Sequence, residues 1–258
     1  MTSDVFGTFD EQVRTRLSEL QSIAQSGGLD EAVEAMVHSI RNGGVLQAFG
    51  TGHSQAFAME IAGRAGGLIP THAIALRDTV LKGRRPASDL QGGLLERDSN
   101  IADELWGLHE LHPEDVFLIA SNSGVNGSIV GIALRAKEKG HKVIAVTSLE
   151  HTKAVTPKHP SGKRLAEIAD VVIDNLAPFG DATVTLGGGE DGAQGVLAGA
   201  VSSITAAYIA QLLTLGTAAR IQEEGETPPL YLSANIPGGD EHNDALKARY
   251  GERIGSMA

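Results

Sequence analysis

Val45-Leu46-Gln47-Ala48-Phe49-Gly50-Thr51-Gly52-His53-Ser54 decides the fold of this chain. A short apolar run stops at Gly-Thr-Gly, and the His-Ser pair opens a segment that reads as a helix from about Ser54 to Ala65. Glycines at such a corner let the backbone come close to a ligand, and the first amides of the helix stand unpaired at the positive end of its dipole. A corner of this kind holds an anion, most often a phosphate. A related corner follows at Val116-Phe117-Leu118-Ile119-Ala120-Ser121-Asn122-Ser123-Gly124. Two hydroxyl-rich turns, each after a buried-type strand, predict one phosphorylated ligand gripped from two sides.

The elements around these corners alternate. Apolar residues spaced by three or four predict helices over Phe9–Ala24 and Leu29–Arg41, the second stopped by Gly43-Gly44. Strands are expected at Val45–Phe49, His72–Leu76, Val116–Ala120, Lys142–Thr147 and Val171–Asp174. Helices are expected near Ile101–His109, Ser128–Lys139, Lys163–Ala169 and Ala193–Leu215. Arg77–Asn100 has no clear period and reads as a long functional loop. The tail holds a polar segment, Glu223–Pro229, and a terminal loop, Asn235–His242. Short apolar strands between helices predict an α/β fold: a three-layer α/β/α sandwich with a doubly wound parallel sheet of about five strands. Ligands in such sheets sit beyond the carboxyl ends of the strands, where both hydroxyl-rich turns lie. The expected organisation is an N-terminal helical extension over 1–44 and a ligand-binding domain over 45–258.

Composition narrows the partners. A formal charge of -11 argues against nucleic acid, whose phosphates call for clustered Lys and Arg. The basic group Lys82, Arg84, Arg85 is offset by Asp78 and Asp89. With no cysteine, thiolate catalysis, disulfides and cysteine-based zinc sites are excluded, and the chain suits a reducing cytoplasm. The apolar stretch Val196–Ala219 is interrupted by Ser202, Ser203, Thr205, Gln211 and Thr214, so a buried helix is expected and not a membrane span. No metal is expected: His151 and His159 form no helical pair, and Asp240-Glu241-His242 lacks further ligands. Gln55 occupies the place of the third glycine of a dinucleotide fingerprint, and no Gly-Lys-Ser/Thr is present for a Walker loop.

Gly50-Thr51-Gly52-His53-Ser54, Ser121-Asn122-Ser123-Gly124 and the strand Val143–Thr147, in this order, resemble the sugar isomerase (SIS) phosphosugar-binding domain. The chain is most similar to the single-domain SIS proteins of the UPF0309 type, over about Gly28 to His242. The resemblance implies that turn hydroxyls bind the sugar phosphate, a role falling on Ser54, Ser121 and Ser123, with Gly52 and Asn122 in the same turns. Asn126 stands where many members carry Ser or Thr and offers an amide donor instead. Some relatives place a catalytic Glu ten residues after the turn serine; here that position is Arg64.

The chemistry implied moves a proton next to a carbonyl, or eliminates a group beta to it. It needs a carboxylate or imidazole near the carbon-bound proton and a donor for the developing enolate. Glu60, in the otherwise apolar Ala58-Met59-Glu60-Ile61-Ala62, is one carboxylate candidate; Glu96, in Leu94-Leu95-Glu96-Arg97-Asp98, is the other. A solvated surface charge is the plainer reading of each. His53 is placed to donate to phosphate or a sugar oxygen. His242, and more weakly Asn235, belong to a tail that in the family often completes a neighbouring subunit's pocket; a flexible acidic tail is the plainer reading. The resulting expectation is a cofactor-free dehydratase or lyase on an amino sugar 6-phosphate such as N-acetylglucosamine 6-phosphate, working as a homodimer. Isomerisation, or sugar-phosphate sensing without catalysis, is the alternative; the segment before the first strand is too short and too acidic for a DNA-reading domain.

Overall fold

The computed structural model describes residues 4–187 and 195–255. Five parallel strands form the central sheet: β1 (Leu46–Gly50), β2 (Thr71–Ile74), β3 (Val116–Ala120), β4 (Lys142–Thr147) and β5 (Val171–Asp174), in the spatial order β2-β1-β3-β4-β5. All residues of β1, β2 and β3 are buried, as strands covered on both faces must be. Alternate side chains feed two cores. Leu46, Ala48, Leu118, Ile144 and Val146 face one side; Phe49, Ile74, Phe117, Ile119, Val143 and Ala145 face the other. The expected α/β fold with its doubly wound parallel sheet is the fold observed.

The first face is covered by α1 (Val5–Gln25), α2 (Asp30–Arg41), α3 (Gln55–Ile61) and the long α9 (Ser202–Glu223). The other is covered by α6 (Ile101–Trp106) and α7 (Gly127–Glu138). By length and composition α9 could cross a membrane, but ten of its residues are buried in the fold. At the amino ends of the strands, Asp115 is fully buried. It accepts from the Val45 amide at 2.8 Å, the Gln47 side chain at 3.0 Å, the His112 amide at 3.0 Å and Arg253 at 2.5 Å. One carboxylate thus ties β1, the lead into β3 and the carboxyl-terminal segment together.

Several elements differ from the sequence expectation. The long apolar stretch is not one helix from Ala193; residues 193 and 194 lie outside the described residues. Val196–Ala200 forms β7, antiparallel to β6 (Ala182–Leu186), and α9 begins only at Ser202. Asp181 sets that start: its Oδ1 accepts from the amides of Val201 and Ser202 at 3.1 and 2.7 Å. The helix expected at Lys163–Ala169 is a single 3-10 turn, Leu165–Glu167. The terminal loop contains α10 (Gly239–Lys247), and the segment before it docks beside residues 66–69, with Ile69 N on Pro229 O and Tyr231 N on Gly67 O. Arg77–Asn100 is also not structureless; it carries the helical turns α4 (Asp78–Leu81), Ala87–Leu90 and α5 (Leu94–Arg97).

Candidate functional site

β1 and β3 are neighbours whose helical connections run to opposite flanks of the sheet, so their carboxyl ends leave a crevice at the topological switch point. The two hydroxyl-rich turns leave the sheet at this crevice. After β1 the chain makes a 3-10 turn over Gly52–Ser54 and enters α3 at Gln55. Gly50 is required because a Cβ there would lie 2.3 Å from the Ser54 carbonyl oxygen. Gly52 is required for a different reason: its φ is +55°, a left-handed conformation that favours glycine. After β3, the Ser121 hydroxyl accepts from the Gly124 amide at 3.1 Å and shapes the second turn. Asn122 is held by Asn175, whose side-chain amide donates to Asn122 Oδ1 at 3.1 Å.

His53, Ser54, Ser121 and Asn122 line one small hollow, joined there by Asn175 and by Ser202 and Ser203 of α9. The hollow has room for about one water, some 10 Å³, so a phosphoryl group fits only at its mouth. Ser54 and Ser123 are half-buried, and neither hydroxyl is hydrogen-bonded among the described residues. Ser123 follows in the same turn but does not line the hollow.

A larger cavity of about 300 Å³ opens on the other side of Gly52. Leu76, Leu90 and Leu95 give it an apolar wall; Gln55, Arg77, Asp89 and Glu96 supply polar groups. Glu96 sits on α5, which the crossing segment after β2 carries to the β1 turn. Its Oε2 would lie 3.5 Å from a Cβ on Gly52, so the carboxylate stands directly over the turn. Its Oε1 accepts from the Asn126 side-chain amide, and its carbonyl accepts from Ser128 Oγ at 2.8 Å. Asn126 lies at the amino end of α7, one turn beyond Ser123. Gly52, Glu96, Asn126 and the two hydroxyl-bearing turns therefore form one connected surface. A half-buried carboxylate oriented by an amide beside a cavity is equipped to take a proton from carbon.

Other candidates lie apart from this surface. Glu60 is paired with Arg64 one turn on, and accepts from Gln211 of α9 at 2.7 Å. It lines neither the hollow nor the cavity and ties α3 to α9. His242 is on α10, its Nε2 3.0 Å from the Leu230 carbonyl oxygen, and Asn235 is exposed in the docked segment before α10. Both residues belong to the tail placed beside residues 66–69, away from the carboxyl ends of β1 and β3. Among the described residues, no group of three or more His, Asp or Glu is arranged to hold a metal ion.

Sequence reasoning missed Asn175, Ser202, Ser203, Gln55 and Arg77. Asn175 follows β5 and Arg77 follows the end of β2, so the rule that ligands gather beyond strand carboxyl ends was the available signal for both. Ser202 and Ser203 had no such signal, because the start of α9 is set by Asp181, about twenty residues earlier in the chain.

The SIS domain family model matches residues 8–148, more than half of the chain. A UPF0309 protein of Listeria monocytogenes is 36% identical over 96% of this chain and 97% of its own length. A UPF0309 protein of Halalkalibacterium halodurans is 34% identical over 100% of this chain and 98% of its own. Among solved structures, a phosphoheptose isomerase from Francisella tularensis covers 83% of this chain and 100% of its own at 20% identity, with a TM-score of 0.51; it is alike in fold. The chain belongs to the SIS domain family and, within it, to the UPF0309 proteins.

Proposed function

We propose that this protein is an enzyme that abstracts the proton beside the carbonyl of a phosphorylated sugar, with Glu96 as the base. The observation that carries this reading is the Glu96 carboxylate set over Gly52 and held by Asn126, between the two hydroxyl-bearing turns. The phosphoryl group rests at the mouth of the hollow on the hydroxyls of Ser54 and Ser123 and on turn amides, with Ser121 and Asn122 holding the turn in shape. The sugar then extends past Gly52 into the cavity, where Leu76, Leu90 and Leu95 accept an apolar substituent such as the methyl of an N-acetyl group. This favours an amino sugar 6-phosphate, with N-acetylglucosamine 6-phosphate the first substrate to try.

In the opened sugar, Glu96 takes the C2 proton and the electron pair moves toward the carbonyl oxygen. In elimination, the pair returns to expel the C3 oxygen, which leaves as water once protonated; His53, exposed beside the turn, is the group assigned to give that proton. Returning a proton to C1 instead would give isomerisation, the activity named for the Francisella relative in fold. The exposed apolar residues Met59, Leu186, Val196, Leu197, Ile204 and Leu215 make a homodimer the expected assembly, and the cytoplasm is the expected compartment.

Proton NMR in deuterated water tests the reading on a panel of sugar 6-phosphates. The expected result is exchange of the C2 proton with solvent in one of them, followed by loss of the C3 oxygen. Exchange with migration of the carbonyl would select isomerisation. A panel left without exchange or turnover would overturn the enzyme reading.

A further inference from the structure

A buried chain of ionisable groups fastens the root of the crossing segment that carries Glu96. Asp78 follows Arg77 directly and is 6% exposed. Its Oδ2 accepts from the Ala75 amide at 2.9 Å and stands 3.3 Å from His109 Nε2, just beyond α6. On the other side of the ring, His109 Nδ1 lies 3.0 Å from Nε2 of His72 in β2, with the rings at 68°. The side chains of Asp78 and His109 are 9% and 3% exposed. A cavity of about 270 Å³ opens beside the two rings, with Lys82, Glu110, Glu252 and Arg253 as its charged lining.

The proton count of this chain is restricted by geometry. Two ring nitrogens 3.0 Å apart share one proton. In the neutral chain, His72 Nε2–H donates to His109 Nδ1, and His109 Nε2–H faces the Asp78 carboxylate. That leaves His72 Nδ1 bare; it has no hydrogen-bond partner among the described residues, and His109 Nε2 meets Asp78 as an ion-pair contact at 3.3 Å and not as a hydrogen bond. One added proton is taken up at His72 Nδ1 as the shared proton passes to His109 Nδ1, so that His109 donates on both sides, toward Asp78 and toward His72. A second added proton sets N–H against N–H, and the rings must part.

We propose that Asp78, His109 and His72 are positioning residues, a proton-carrying clasp that fixes the root of the crossing segment and releases it when both rings are charged. The clasp acts on the site through Arg77, next to Asp78, and through Glu96 at the far end of the same segment. Its purpose rests on the proposed function; its action on the segment does not. Burial, His109 and Lys82 all lower the affinity of His72 for a proton, to a pKa of about 4, with Asp78 pulling the other way. Of the groups lining the cavity, Lys82 opposes the second proton, Arg253 is taken up by Asp115, and Glu110 and Glu252 favour it.

Hydrogen–deuterium exchange of the substrate-free protein tests this, comparing about pH 7 with about pH 4 after correction for intrinsic rates. The expected result is at least about a tenfold loss of protection over residues 78–97 in acid, with β3 and β4 remaining protected. In His109→Gln, where two charged rings can no longer face each other, protection over 78–97 no longer responds to pH. Should that variant fail to fold, His72→Gln serves, because it removes the ring that receives the second proton and is expected to abolish the same step. Equal protection of the wild type at both pH values, a step retained in the folded variant, or a parallel loss in β3 and β4 would each overturn the clasp. If no sugar phosphate is turned over while protection follows pH as stated, the enzyme reading fails and the clasp stands.

Discussion

Gly52 and Glu96 meet at the β1 turn, the glycine there for its left-handed backbone and the carboxylate held by the Asn126 amide. A Cβ on Gly52 would stand 3.5 Å from Glu96 Oε2, ordinary van der Waals contact, so the left-handed φ of +55° and not crowding by the carboxylate calls for glycine. Replacing Glu96 with Gln keeps the shape and the contact with Asn126 but removes the base. The expected outcome is a fall in kcat of about 10²–10⁴-fold, with KM changed only a few-fold, as steady-state kinetics would read. A Gly52→Ala change acts differently. It puts a side chain into a left-handed conformation and fills the gap below the carboxylate, costing about 1 kcal/mol of stability by denaturant titration and weakening binding of the sugar phosphate. If Glu96→Gln keeps wild-type kcat, Glu96 is not the base, and Asp89 of the same cavity and His53 of the β1 turn are the acceptors to replace next.

At the scale of elements, the parallel sheet was legible because its strands are short apolar runs, those of β1, β2 and β3 buried on both faces. No comparable signal marked the boundary between β7 and α9. Val196-Leu197-Ala198-Gly199-Ala200 is apolar and runs straight into apolar helix, so periodicity alone cannot divide them. The division comes from Asp181, which adopts φ +70° and caps α9 from outside. The hydroxyl of Ser202 completes the arrangement by donating to Asp181 Oδ2 at 2.6 Å. Asp181→Gly retains the left-handed backbone and deletes only the carboxylate, so it measures the cap without added strain. It is expected to lower stability by about 1 kcal/mol in chemical denaturation, while Asp181→Asn keeps most of the bonding. Because Ser202 and Ser203 line the hollow between the turns, the Gly variant is also expected to weaken ligand binding. Unchanged stability would mean that α9 is held by its packing against α2 and α3 and not by its cap.

Across the whole molecule, what the sequence hid is what distant segments make together. The two turns were readable one at a time, whereas His72, Asp78 and His109 meet only because β2, α4 and the end of α6 share an edge of the sheet. No spacing rule joins His72 to His109 across 37 residues. Their meeting nevertheless has a consequence for the stability of the entire chain. His72 has a pKa of about 4 in the folded protein, first because it is buried, against about 6.5 in an unfolded chain. The unfolded state therefore binds the more protons between these limits, and stability must fall as pH falls. The contribution is complete above about pH 6.5 and is lost progressively down to about pH 4, a span worth roughly 3 kcal/mol. Asp78 adds nothing in that window. Burial raises its proton affinity, but His109, the Ala75 amide and Lys82 outweigh burial and hold its pKa below the ordinary carboxylate value, so its share is lost only in stronger acid. Denaturant titrations across the window should show wild-type stability sloping downward toward acid and His72→Gln losing most of that slope. A His72→Gln protein with the wild-type slope would place the responsible titration elsewhere and leave His72 without an energetic part in the fold.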